Sequence, residues 1–230
     1  MGLCALLVGC GGGKSSATPA VERASIKAEG APEGSAPAAA AAAPSERKTV
    51  LFLGTSLTAG LGLEPDSAFP QLLQRRIDEA GLPFQTVNAG VSGETSAGLL
   101  RRLEWVLQRP ADVIVVETGA NDGLRGQPVA GTKATIGQIL DRIHRDRPGA
   151  LVVLVQMEAP TNLGARYTAT FRGMFPALAR DHGATLIPFL LDGVAGRPQL
   201  NQADGIHPNN AGERVVAENV WRGLEPVLRR

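Results

Sequence analysis

The sequence predicts an α/β domain, a three-layer α/β/α sandwich whose middle layer is a five-stranded parallel sheet. Three observations carry that expectation. From residue 49 onward, short apolar runs alternate with longer amphipathic stretches, the pattern of repeated βα units. The runs are continuously apolar instead of alternating, so their strands are buried on both faces, as parallel strands are. No self-similar period of about 20 to 50 residues appears, which sets solenoids aside.

The first strand is Thr49–Gly54, where Val50, Leu51, Phe52 and Leu53 run up to a glycine. A helix follows over Ala68–Ala80, with Phe69, Leu73 and Ile77 on one stripe. Phe84–Gly90 is the second strand and Thr95–Gln108 the second helix. Asp112–Thr118 carries four consecutive β-favouring residues, Val113 to Val116, and reads as strand three. The helix Thr132–Arg147 repeats Ile136, Ile139, Leu140 and Ile143 at helical spacing. Strands four and five are Ala150–Gln156 and Ala184–Phe189, separated by a helix over Arg166–His182, and a last helix spans Ala211–Leu228. Right-handed crossovers between such units cover both faces of the sheet.

Composition narrows the functional classes. The 230 residues are 43% hydrophobic, with 23 Lys+Arg against 22 Asp+Glu, so the chain is globular and nearly neutral. No basic field exists to neutralise several phosphates at once, and nucleic acid is not an expected partner. Both of the 2 Cys fall within the first ten positions, which leaves no disulfide framework and no Cys/His zinc cluster. Neither a metal nor a cofactor is expected.

The N-terminus reads as a separate appendage. Residues 3 to 9 are apolar but far short of the roughly 20 that a membrane-spanning helix needs. Leu7-Val8-Gly9-Cys10-Gly11 resembles the lipobox of bacterial lipoproteins, which implies acylation of Cys10, although no Lys or Arg precedes the apolar run. Residues 11–48 are rich in Ala, Pro, Gly and Ser and read as a flexible linker, because they offer too little apolar surface to offset ordering entropy. The expected organisation is a signal segment (1–10), a linker (11–48) and a domain (49–230).

In an open parallel sheet, ligands bind beyond the carboxyl ends of the strands where the winding direction reverses. The chemically informative residues follow the strands. Ser56 comes just after strand one and opens a helix, where it reads either as an exposed nucleophile or as an N-cap serine. A serine hydroxyl needs a base, and the base needs a third group to hold its tautomer. Of three histidines, His144 sits in a charged helical stretch and reads as a surface residue, and His182 reads as a cation at a helix C-terminus. His207 has Asp204 three residues upstream in a loop tightened by Gly205 and Pro208. That spacing lets the carboxylate accept from Nδ1 while Nε2 points away. With a flavodoxin-like strand order, 2-1-3-4-5, Ser56 lies between Gly90 and Asn121, and the Ser56 and Gly90 N–H groups with the Asn121 amide form the parts of an oxyanion hole.

Gly54-Thr55-Ser56-Leu57, Gly90, Gly119-Ala120-Asn121-Asp122 and Asp204-Gly205-Ile206-His207 stand in the order of the four blocks of the SGNH, or GDSL, hydrolase family. The chain resembles that family over about residues 49 to 228. The stretches 88–96, 119–126 and 204–209, with Pro160, Asn162, Gly164 and Tyr167, look like its bacterial thioesterase/lysophospholipase/arylesterase subfamily. The resemblance implies Ser56 as nucleophile, His207 as general base and Asp204 as its orienting carboxylate, with Ser56, Gly90 and Asn121 as oxyanion donors. It also implies a substrate-binding loop of Gly123, Leu124, Arg125, Gly126 and Gln127, joined by Pro160, Asn162 and Tyr167. Two positions depart from the pattern: Thr55 replaces the signature Asp, and Gln127 stands where the subfamily carries an aromatic.

The expected function is hydrolysis of carboxylic ester or thioester bonds on a small-molecule or lipid substrate, by a monomer of the bacterial envelope that touches the membrane only through a lipid at Cys10. Alternatives are a carbohydrate O-deacetylase of the same superfamily, a flavodoxin-like FMN carrier and a non-catalytic tethered domain. Leu61, Leu63, Leu99, Leu124, Met157 and Leu163 favour an acyl or aryl group over a sugar. Trp105 and Trp221 fall in helices and read as core, which argues against flavin stacking.

Overall fold

A computed structural model describes residues 47–230. Its strands are β1 (Lys48–Gly54), β2 (Phe84–Gly90), β3 (Val113–Glu117), β4 (Leu151–Val155) and β5 (Thr185–Ile187). All pair in parallel, in the order β2-β1-β3-β4-β5. The helices are α1 (Ser56–Ala59), α2 (Phe69–Glu79), α3 (Ser96–Val106), α4 (Ala120–Leu124), α5 (Val129–Asp146), α6 (Ala165–Asp181) and α7 (Asn210–Leu228). This is the five-stranded α/β/α sandwich that the apolar pattern predicts.

Successive side chains of a strand point to opposite faces, so a strand covered on both sides must be apolar at both parities. Val50, Leu51, Phe52 and Leu53 are all essentially inaccessible. Helices α2 and α7 pack on each other, and α3, α5 and α6 form a second packed group. Phe52 meets Phe69 of α2 edge-on at 5.7 Å between ring centroids, and Phe171 meets Phe175 on α6 at 5.6 Å.

Several boundaries differ from expectation for local reasons. β5 stops at Ile187 instead of Phe189, because Pro188 has no N–H to continue the ladder. α5 begins at Val129, ahead of the expected Thr132, behind Pro128 with its φ of −55°. The short α4 was not expected. Trp105 is no core residue: it is 62% exposed on α3, whereas Trp221 is partly buried beneath the Arg76 guanidinium. The lipobox-like segment, Cys10 and nearly all of the linker lie outside the described residues. Among the described residues, no helix is long and apolar enough to cross a membrane.

One buried carboxyl couples the fold to pH. Ala68 offers α2 no side-chain cap, and Glu213 of α7 supplies it by accepting the Phe69 N–H at 2.8 Å. Glu213 is 1% exposed, and burial pushes its carboxyl up to about 8 despite that hydrogen bond. The folded chain thus holds a proton that the unfolded chain releases near 4.5, so this stability is full below that value and lost as pH rises through about 8. Glu213→Gln keeps an acceptor for Phe69 without the charge. Between about pH 5 and about pH 9 it is expected to gain up to a few kcal/mol on the wild type in urea unfolding. The same pH dependence in both proteins would remove this role.

Candidate active site

Loops at the carboxyl ends of the strands enclose a cleft of about 830 Å³. Ser56, Asn121, His207, Leu61, Leu124, Met157, Pro160, Asn162, Phe189 and Ile206 are among the residues that line it. Because β1 lies between β2 and β3, the turn after β1 opens between the loops that follow those two strands.

The local sequence holds Ser56 in place from below. Thr55, not Ser56, is the N-cap of α1: its Oγ1 accepts the Leu57 N–H at 3.4 Å, which leaves the Ser56 side chain free. Beneath the turn, Glu117 at the end of β3 is 1% exposed. It accepts the Thr55 N–H at 2.8 Å, the Thr55 hydroxyl at 2.9 Å and the Thr58 hydroxyl at 2.9 Å. Burial pushes the Glu117 carboxyl upward, and these donors oppose the shift. At this departure from the family pattern, the Thr55 hydroxyl donates to Glu117 while it accepts the Leu57 N–H. Gly54 is required by the same packing, since a Cβ there would overlap the Thr58 hydroxyl and the Glu117 carboxylate. Sequence reasoning missed Glu117. The signal was there, an acidic residue closing an otherwise apolar buried strand.

Across the cleft, Asp204 and His207 are oriented by their own loop. Asp204 Oδ1 accepts the Ile206 and His207 N–H groups at 2.9 and 3.0 Å, while Oδ2 faces His207 Nδ1 at 2.6 Å. These hydrogen bonds, that to the His207 ring foremost, bring the Asp204 carboxyl down to about 2. Asp204 is therefore a carboxylate at working pH, and an acceptor at Nδ1 requires the Nδ1–H tautomer. That leaves the Nε2 lone pair 2.9 Å from Ser56 Oγ, where the hydroxyl donates to it. The loop is pinned by Gln202, whose Nε2 donates to the Leu61 and Pro208 carbonyls and whose N–H donates to the His207 carbonyl. Asn209 fastens the exit by capping α7.

The amide pocket differs from expectation at one position. Gly90 ends β2 facing α1 and does not line the cleft: its N–H is donated to Asn88 Oδ1 at 2.9 Å, and a Cβ there would meet the Ala59 amide and the Thr55 carbonyl. Gly90 is thus a packing glycine. Gly93, three residues on, lines the cleft beside Ser56 and Asn121, with a φ of 76° that glycine adopts readily. Its N–H makes no hydrogen bond among the described residues. Asn121 Nδ2 donates to the Glu94 carbonyl at 3.0 Å, which fixes the amide and leaves its second N–H available.

The expected substrate loop divides similarly. Leu124, Pro160 and Asn162 line the cleft, but Gly123, Arg125, Gly126, Gln127 and Tyr167 do not. Gly123 is buried against Phe171 and Ala159, Arg125 turns outward to donate to the Gly93 carbonyl at 3.0 Å, and Tyr167 OH ties the loop to α6 through the Gln127 carbonyl at 2.6 Å. Of the expected lining leucines, Leu61 and Leu124 reach the cleft, Leu99 is core, and Leu63 and Leu163 lie outside. His144 and His182 are away from the site. His144 is not simply solvated but bonds the His182 carbonyl at 2.8 Å, while His182 Nδ1 meets Asp141 at 2.8 Å.

With this geometry in place, residues 52–215 match the profile of the GDSL-like lipase/acylhydrolase family. The chain is 39% identical over 183 residues to Esterase TesA of Pseudomonas aeruginosa, covering 79% of this chain and 90% of the relative. It is 37% identical over 181 residues to Thioesterase 1/protease 1/lysophospholipase L1 of Escherichia coli, covering 78% and 85%. Among solved structures, the psychrotrophic esterase EstA of a Pseudoalteromonas species, inhibited by monoethylphosphonate, superposes with a TM-score of 0.75 at 32% identity, covering 80% of this chain and 100% of that one.

Proposed function

The chain belongs to the GDSL-like lipase/acylhydrolase family and is an ester-hydrolysing serine hydrolase, and we propose that it cleaves esters and thioesters of apolar acids by acyl transfer through Ser56, His207 and Asp204. The observation that carries this reading is the continuous line of hydrogen bonds from Asp204 through His207 to the Ser56 hydroxyl.

In the first step Ser56 Oγ attacks the acyl carbonyl carbon as His207 Nε2 takes its proton. The carbonyl oxygen gains negative charge, and the N–H groups of Ser56 and Gly93 with the Asn121 amide are placed to stabilise it. Collapse breaks the bond to the alkoxide or thiolate, which leaves with the proton from His207. Water then repeats the cycle: His207 removes its proton, the hydroxide attacks the acyl-serine, and Ser56 Oγ departs with that proton as the acid is released. Leu124, Met157, Phe189 and Ile206 suit an acyl chain or aryl group better than a sugar, which favours this reading over the O-deacetylase. An FMN carrier would leave the Asp204–His207–Ser56 line without use.

A fluorophosphonate probe tests the nucleophile by forming a bond to the activated serine. We expect one label per chain on the wild type and none on Ser56→Ala; labelling that survives the substitution would refute the assignment. Full activity in EDTA is the companion result for a mechanism without a metal.

The proposal extends to location, which rests on the sequence alone: a lipid on Cys10 and the segment 11–48 would hold the enzyme at the cell envelope. Cys10→Ala is expected to shift the protein from the membrane fraction to the supernatant. Unchanged partitioning would argue against the anchor.

A further inference from the structure

A second depression, of about 460 Å³, abuts the cleft and shares Gly93 with it. Three guanidinium groups, those of Arg101, Arg102 and Arg125, line it against the single carboxylate of Glu94. Arg102 is already committed: Nε and Nη2 hold both Glu94 oxygens at 2.7 Å, and Nη2 also donates to the Ala89 carbonyl at 2.8 Å. Arg125 donates to the Gly93 carbonyl and has no carboxylate partner among the described residues. Arg101 is exposed and makes neither a hydrogen bond nor an ion pair there. Of the nearby N–H groups of α3, that of Ser96 is taken by Asp122 and that of Gly98 by Thr95. Two guanidiniums without a carboxylate partner among the described residues, those of Arg101 and Arg125, therefore sit together at one edge of the catalytic cleft.

Guanidinium groups match phosphate oxygens in charge and in planar donor geometry. The cleft is apolar toward Met157, Phe189 and Ile206, and cationic across Gly93. Resting on the acyl-transfer reading above, we propose that the Arg101–Arg125 depression is a leaving-group subsite for a phosphate carried a few atoms from the scissile ester. The acyl group lies in the apolar cleft, the carbonyl oxygen faces the Gly93 amide, and the departing alcohol crosses Gly93 so that its phosphate meets the two arginines. The phosphate takes no part in bond breaking, so it acts on binding.

The test compares two substrate pairs on the intact protein. One is 1-butyrylglycerol 3-phosphate against 1-butyrylglycerol, where the phosphate is close to the ester. The other is butyryl-CoA against S-butyryl-pantetheine, where the phosphates are remote. Phosphate is expected to lower KM about tenfold or more in the glycerol pair, an advantage that fades with added salt. Arg101→Gln should reduce it and Arg101→Glu abolish it, with kcat unchanged and p-nitrophenyl butyrate hydrolysed as by the wild type. The CoA pair should not respond to Arg101. A wild type indifferent to the glycerol phosphate, an Arg101 effect shared equally by the uncharged ester, or an effect confined to the CoA pair would each overturn the subsite while leaving the acyl-transfer reading intact. Failure to hydrolyse p-nitrophenyl butyrate at all would instead bring down that reading, and the subsite with it.

Discussion

Replacing Ser56 by alanine is expected to lower kcat for p-nitrophenyl butyrate by roughly 10³- to 10⁶-fold while leaving KM nearly unchanged. The hydroxyl is the atom that bonds the acyl carbon, so its loss removes the acyl-enzyme route entirely. What remains is water attacking a substrate still held in the cleft and still polarised by the amide pocket, which explains why the loss has a floor. The fold has little reason to respond. Ser56 is the first residue of α1, its neighbour Thr55 provides the cap, and alanine is the best helix former, so circular dichroism and thermal midpoint should match the wild type. The Glu117 network beneath the turn involves Thr55 and Thr58 and is untouched. Near-wild-type turnover by a folded Ser56→Ala protein would dismiss Ser56 as nucleophile.

His207→Ala is expected to fall by a similar factor, roughly 10³ to 10⁶ in kcat, because the serine then has no acceptor for its proton. The two residues act as a unit, so the double variant should be no slower than either single one. Asp204→Asn sharpens the prediction. Asp204 Oδ1 is held by two backbone N–H groups, so an asparagine keeps its oxygen there and turns its NH₂ toward His207 Nδ1. That donor forces the ring proton onto Nε2, the nitrogen facing Ser56, and the base is spent before the reaction begins. A loss of roughly 10² to 10⁴ in kcat follows, with KM little changed. Wild-type rates in His207→Ala, or a fully active Asp204→Asn, would show that the imidazole is not the base or that its tautomer is set elsewhere.

The two halves of the site also differ in how they withstand change. The nucleophile turn rests on Glu117, a buried carboxylate with three donors, so removing that carboxylate strands several polar groups at once. The Asp204 loop is half-exposed, and its order comes from short-range hydrogen bonds that water competes for, those of Asn209 included, with the Gln202 bond to the Leu61 carbonyl as its long-range fastening.

How much of this was legible in the chain follows from the range of each interaction. The parallel sheet and its helices were readable because burial on both faces demands unbroken apolar runs, and amphipathic helices demand the 3.6-residue stripe. The Asp204–His207 pair was readable because a three-residue separation in a tight turn already brings the groups together. The roles of the two glycines were not. Gly90 ends β2 and Gly93 lies three residues on in the loop that follows, and which N–H faces the cleft depends on how α1 packs against the end of β2, a contact between segments about thirty residues apart. Nor did helical position reveal that Trp105 lies in solvent and that Arg125 points away from the acyl cleft. Sequence alone determined the order of the elements and the chemistry available at their ends; tertiary structure decided which groups face one cavity, because orientation across a sheet is set by packing between distant segments and leaves no periodic trace in either one.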